Sequence, residues 1–110
     1  MISPHPVAKT TDIAPGTTRS VRTTRDDDVL ICNVDGTFYA IAHVCTHDGW
    51  PLDQGDLCGR EIECPRHGAR FDVTTGAVVR LPAVTPVPTY AVRIDGDAIY
   101  VDQHAPDLLH

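Results

Sequence analysis

Two short stretches carry the residues best able to do chemistry: Cys45-Thr46-His47 and Cys64-Pro65-Arg66-His67, separated by sixteen residues. Each offers one thiol and one imidazole. Thiolates and neutral imidazoles are metal ligands, and two of each suit either a tetrahedral zinc ion or an iron-sulfur cluster with mixed ligation. Structural zinc sites commonly pair like with like, as CxxC and HxxxH, whereas here each segment mixes the two kinds. The mixture fits two metal ions better than one. Two loops meeting face to face could each give one ligand to each iron, so that one iron takes both cysteines and the other both histidines. A zinc knuckle, or four uninvolved residues, is the plainer alternative.

Loops of that kind need a frame, and the sequence predicts an all-β one. Alternation and β-branched residues dominate, and no window repeats apolar residues at helical spacing for three turns. Residues 17–24, 29–34 and 37–42 read as strands, the last two joined by a tight turn at Asp35-Gly36. A second hairpin pairs 89–94 with 98–101 around 95–97, where Gly96 can take the positive φ of the turn. Between the hairpins, short strands at 60–64 and 69–73 separate loops rich in Gly, Pro and Asp. The segment 81–88 carries three prolines and reads as an extended connection. The first dozen residues and the end from 102 on have weak patterns and are expected to be loosely held. At 110 residues the chain makes a single domain over 1–110, too short for a second catalytic module. The expected fold is a small antiparallel β-sandwich carrying two ligand-bearing loops in a subdomain of about residues 43–72.

The ligand pattern resembles that of Rieske-type 2Fe-2S proteins, in which CxH is followed after about fifteen to seventeen residues by CxxH. The likeness extends beyond "CTH" (45–47) and "CPRHG" (64–68) to "PL" (51–52), "RFDVTTG" (70–76) and the final hairpin. It implies the Rieske fold and one 2Fe-2S cluster. Cys45 and Cys64 would hold the inner iron, and His47 and His67, through Nδ1, the outer iron near the surface. Two ferric ions, two sulfides and two thiolates sum to zero charge, whereas four thiolates would give minus two, so imidazole ligation eases reduction. Rieske potentials accordingly span about −150 to +300 mV, against about −400 mV for plant-type ferredoxins.

Position within that span follows from what the chain lacks. Rieske proteins of cytochrome bc complexes carry an extra cysteine in each loop, at positions that here read Trp50 and Arg66, and a following serine and tyrosine where this chain has Ala69 and Phe71. Hydroxyls bonded to cluster or ligand sulfur stabilise the added electron, so their absence lowers the potential. The expectation is the low end, near about −150 mV. Such a poise suits a carrier and not quinol oxidation. The resemblance then implies the ferredoxin component of a multicomponent oxygenase, which takes electrons from a flavin-dependent ferredoxin reductase and passes them to a terminal oxygenase. It implies no enzymatic activity of its own. An oxygenase would need a further domain with mononuclear iron, and only 43 residues follow His67. The alternatives are the small subunit of an assimilatory nitrite reductase and a ferredoxin associated with iron-sulfur assembly.

Composition bounds the partners. Fifteen acidic against nine basic residues leave a net charge of −6, which argues against nucleic acid and anionic membranes. No apolar run reaches the 18 residues or so of a membrane span, and the opening lacks the pattern of a signal peptide. A cytoplasmic monomer is expected, with its thiols reduced. Cys32 then reads as a buried apolar residue and Cys58 as a loop thiol, with no disulfide between them. His43 reads as the end of a strand and not as a ligand. Trp50 either shields the cluster or packs on the loop base, and Pro65 and Gly68 let backbone amides approach sulfur. Asp48, Asp53, Asp56 and Glu61 crowd the same region, either as ordinary solvated acids or as a docking surface for a basic reductase.

Overall fold

The structure, a computed structural model, describes residues 5–22, 28–43, 52–64, 68–81 and 86–101. All strand pairings among these residues are antiparallel. They form three sheets. One is built from β1 (Ala8–Lys9), β11 (Ala98–Val101) and β10 (Val92–Asp95), in that order. The second runs β2 (Thr18–Arg22), β3 (Asp28–Val34), β4 (Thr37–Ala42), β9 (Thr89–Tyr90). The third runs β5 (Asp56–Cys58), β6 (Glu61–Glu63), β7 (Arg70–Asp72), β8 (Val78–Arg80). The described residues contain no α-helix, and none of their helices is long and apolar enough to cross a membrane.

β3 explains the arrangement. Its residues Val29 to Asn33 are all buried, a run that only a sheet covered on both faces can produce. Because strand side chains alternate, Leu30 and Cys32 join Ile41, Ile62, Phe71 and Val87 in one cluster, while Val29 and Ile31 join Ala40, Ile99 and Val101 in another. The second sheet is thus the shared wall of two cores. Asn33, the buried polar residue of the strand, is satisfied: its Nδ2 donates to the Ile13 carbonyl at 2.7 Å, and its Oδ1 accepts from the Gly36 N–H at 2.7 Å.

Both expected hairpins form. β3 and β4 turn at Asp35 and Gly36, whose φ values of 52° and 90° are those of a two-residue turn that matches strand twist. β10 and β11 turn at Gly96, φ 63°. The expected strand at 89–94, however, is two. Tyr90 pairs with Ala40 in the second sheet and Val92 with Val101 in the first, so the chain changes sheets at Ala91. β5 and β8 lie outside the strands expected from sequence, and residues 5–12 are held better than expected, residues 1–4 lying outside the described residues. The Val7 N–H donates to the Ile99 carbonyl at 2.8 Å, β1 pairs with β11, and Ile13 is buried. The expected strand residues 23 and 24 and the end from 102 on lie outside the described residues.

Candidate metal centre

Of the four expected ligands, Cys64 is described, and Cys45, His47 and His67 lie outside the described residues, as do Asp48, Trp50, Pro65 and Arg66. The ends of both ligand segments are nevertheless fixed. β6 delivers Cys64 and β7 begins at Arg70, so the second segment connects two paired antiparallel strands. The Cys64 N–H donates to the Ala69 carbonyl at 2.7 Å and the Gly68 N–H to the Cys64 carbonyl at 3.0 Å. Gly68 has φ 77°, a conformation open to glycine and costly for other residues.

The first segment leaves β4 at His43 and returns at Leu52, where a 3-10 turn, Leu52–Gln54, begins. The Leu52 N–H donates to the His43 carbonyl at 2.8 Å, closing the base of residues 44–51. Gly55 then passes against β6 so tightly that a methyl group on it would collide with the Glu63 carbonyl. Asp56 pairs with Glu63, one residue before Cys64. Leu52, Cys64, Ala69 and Phe71 all belong to the same buried cluster, so both segments spring from one apolar wall.

That wall fits a cluster on two counts. Cys64 is a free, buried thiol at the head of a glycine-bearing turn, a suitable donor once ionised. Ala69 and Phe71 behind it are fully buried and bring no hydroxyl. Cys32 is different. Burial pushes its thiol up to about 12, which keeps it neutral and inert in the core. Cys58 is exposed at the end of β5, and neither forms a disulfide.

Charges around the site are mostly engaged. Glu63 accepts from Arg70 at 2.8 Å, Glu61 lies 3.4 Å from the same guanidinium, and Arg60 lies 3.2 Å from Asp72. Asp53 lies 3.0 Å from His43, and Asp56 is exposed. Of the four acids considered for docking, Asp53 and Glu61 are therefore partly exposed and in contact with cationic or imidazole side chains of the same chain. Sequence reasoning missed the His43–Asp53 contact and the close passage of Gly55. The glycine in "LDQGD", directly after the first ligand segment, was the available signal for the latter.

Residues 3–91 match the family described as Rieske [2Fe-2S] domain. The chain belongs to the Rieske 2Fe-2S family. It is 41% identical over 76 residues to the ferredoxin component of biphenyl 2,3-dioxygenase from Rhodococcus jostii (strain RHA1), covering 69% of this chain and 71% of that one. Its fold matches a chain in a complex of reduced oxygenase and oxidised ferredoxin of carbazole 1,9a-dioxygenase, with TM-score 0.87, 33% identity and coverage of 92% and 94%. The ferredoxin of carbazole 1,9a-dioxygenase from Nocardioides aromaticivorans IC177 gives TM-score 0.86, 38% identity and coverage of 91% and 97%. The Rieske chain is an electron carrier with one 2Fe-2S cluster, and its relatives are components of oxygenase systems rather than catalysts themselves.

Proposed function

We propose that Cys45 and Cys64 hold the inner iron of the cluster, that His47 and His67 hold the outer iron through Nδ1, and that residues of about 43–72 form the cluster-binding part of a single domain over 1–110. The protein carries one electron at a time from a flavin-dependent ferredoxin reductase to a terminal non-haem iron oxygenase, as a monomer in the cytoplasm. The observation that carries this reading is the seating of Leu52, Cys64 and Ala69 in one buried apolar cluster, which ties the ends of both ligand segments to a common wall. The oxygenase–ferredoxin complex among the structural neighbours supports the choice of acceptor.

The bound cluster supplies reversible uptake of a single electron at low cost in reorganisation. The chain's own residues set where and how readily this happens. Cys64, buried beside Leu52, Ala69 and Phe71, has water excluded from its protein side. Ala69 and Phe71 offer sulfur no O–H donor, which supports a potential at the low end of the Rieske range, about −150 mV. His47 and His67, as neutral ligands on the outer iron, form the exit toward a docked partner.

Delivery is tested by mixing the dithionite-reduced protein with the terminal oxygenase of an aromatic-ring dioxygenase in a stopped-flow instrument. Rapid reoxidation of the carrier, with product formed when the cognate reductase and NADH are added, is the expected result. Reoxidation no faster than by air alone would count against the proposed acceptor.

A further inference from the structure

His43 and Asp53 stand on either side of the first ligand segment. His43 follows the last residue of β4, and its backbone is held from both directions: its N–H donates to the Asp28 carbonyl at 3.2 Å, and its carbonyl accepts from the Leu52 N–H at 2.8 Å. Asp53 lies one residue beyond Leu52, whose side chain is locked in the core. Across this gap Nε2 of His43 lies 3.0 Å from Oδ1 of Asp53, with the two side chains 16% and 28% exposed. Nε2 itself is buried and has no aligned hydrogen-bond partner. The two atoms are in contact, with the N–H out of line for a hydrogen bond. A carboxylate presents only lone pairs, so the contact is favourable with hydrogen on Nε2.

We propose that His43 and Asp53 form a side-chain clasp across the mouth of the first cluster loop. They are positioning residues that hold Cys45 and His47 against the segment of Cys64 and His67 and slow the escape of the cluster. The inference rests on the ligand assignment above. Its physical basis is that a cluster shared between two loops can leave only when one loop opens, and local opening needs less free energy than global unfolding. Among the described residues, the His43–Leu52 backbone bond closes this segment, and the clasp adds a side-chain tie one residue further out. Partial burial shields this contact from water, whereas a fully exposed pair is worth little. Among the described residues, Asp28 and Arg22 line the same shallow groove as His43 and lie 3.1 Å from each other.

The test follows the visible absorbance of the cluster after adding an iron chelator to the holoprotein, in the wild type, His43→Leu, Asp53→Asn, the double variant and the exchanged pair His43→Asp/Asp53→His. Each single variant is expected to lose cluster about tenfold faster, about 1.4 kcal/mol of barrier. The double variant should be no faster than the worse single, because the two side chains act as one unit. The exchanged pair should recover most of the loss, which a merely destabilised fold would not do. Should His43→Leu fail to fold, the near-isosteric Asp53→Asn decides. Unchanged rates, or single effects that simply add, overturn the clasp while the wild-type 2Fe-2S spectrum leaves the ligand assignment standing. A wild type without that spectrum overturns both.

Discussion

The second and third sheets solve different problems with similar strands. The second, β2–β3–β4–β9, is buried on both faces and is specified by side-chain volume: Leu30, Cys32 and Ile41 fill one core, Val29, Ile31 and Ala40 the other. The third, β5–β6–β7–β8, buries Ile62 and Phe71 on one face, with Val78 packed partly buried against them, and carries Glu61, Glu63, Arg70 and Arg80 on the other. What specifies it is backbone fit. Gly55 lies against the Glu63 carbonyl, Gly68 adopts a positive φ at the second ligand turn, and a methyl on Gly76 would strike the Val87 carbonyl. A scaffold can be held by interchangeable apolar groups, whereas loops that share one cluster need their backbones in fixed register. Substitutions in the second sheet should therefore cost stability, and substitutions in the third should cost the cluster.

The sharpest break in that contrast is Cys64→Ala, which should abolish the 2Fe-2S spectrum while strand content, read by far-ultraviolet circular dichroism, persists. Next come two changes of one or a few carbons. Gly55→Ala inserts a methyl where no space exists and should cost about 3 kcal/mol with most of the cluster lost. Leu30→Ala should cost a similar 3 kcal/mol or so in urea unfolding, yet leave the potential of the remaining holoprotein unchanged. Equal cluster loss in both variants would erase the distinction between the sheets.

Ala69→Ser is a smaller change on the wall of the site. A hydroxyl donated to sulfur and worth about 1 kcal/mol should raise the potential by about 40 mV, measurable by protein-film voltammetry. No shift would mean that Ala69 does not face sulfur.

The smallest effect concerns acid. Burial pushes the Asp72 carboxyl up, but hydrogen bonds from the Thr74 hydroxyl at 2.6 Å and Thr74 N–H at 2.8 Å, together with Arg60, outweigh it and hold the carboxyl below its ordinary range. A depressed native value contributes stability above the unfolded value, near about 3.9, and loses it as pH falls through the folded one. The urea midpoint of the wild type should thus exceed that of Asp72→Asn at neutral pH, with the gap shrinking as pH drops from about 6 to about 3. A constant gap would remove Asp72 from the acid response of the third sheet.

How much of this was legible in the sequence differs between the same two sheets. The continuous apolar run at 29–32 and the Asp35-Gly36 pair predict β3, its turn and β4, because burial and turn chemistry are local properties. The break at Ala91 was not legible, since alternation continues through 89–94 while the pairing partner changes from β4 to β11. β5 escaped notice because three residues ending in an exposed cysteine carry no periodic signal. At the site, the types and spacing of Cys45, His47, Cys64 and His67 pointed to the cluster without any fold. The His43–Asp53 contact did not show itself, because those residues are brought together only when the chain between them closes at Leu52.

The central claim is that two cysteines and two histidines hold one low-potential cluster, and a reductive titration of the purified protein followed by electron paramagnetic resonance tests it most directly. A single mixed-valence signal of Rieske type, appearing with a midpoint near about −150 mV, is the predicted result. A midpoint above about +100 mV would contradict the low-potential assignment, and no signal at any potential, with zinc or no metal bound, would contradict the cluster itself.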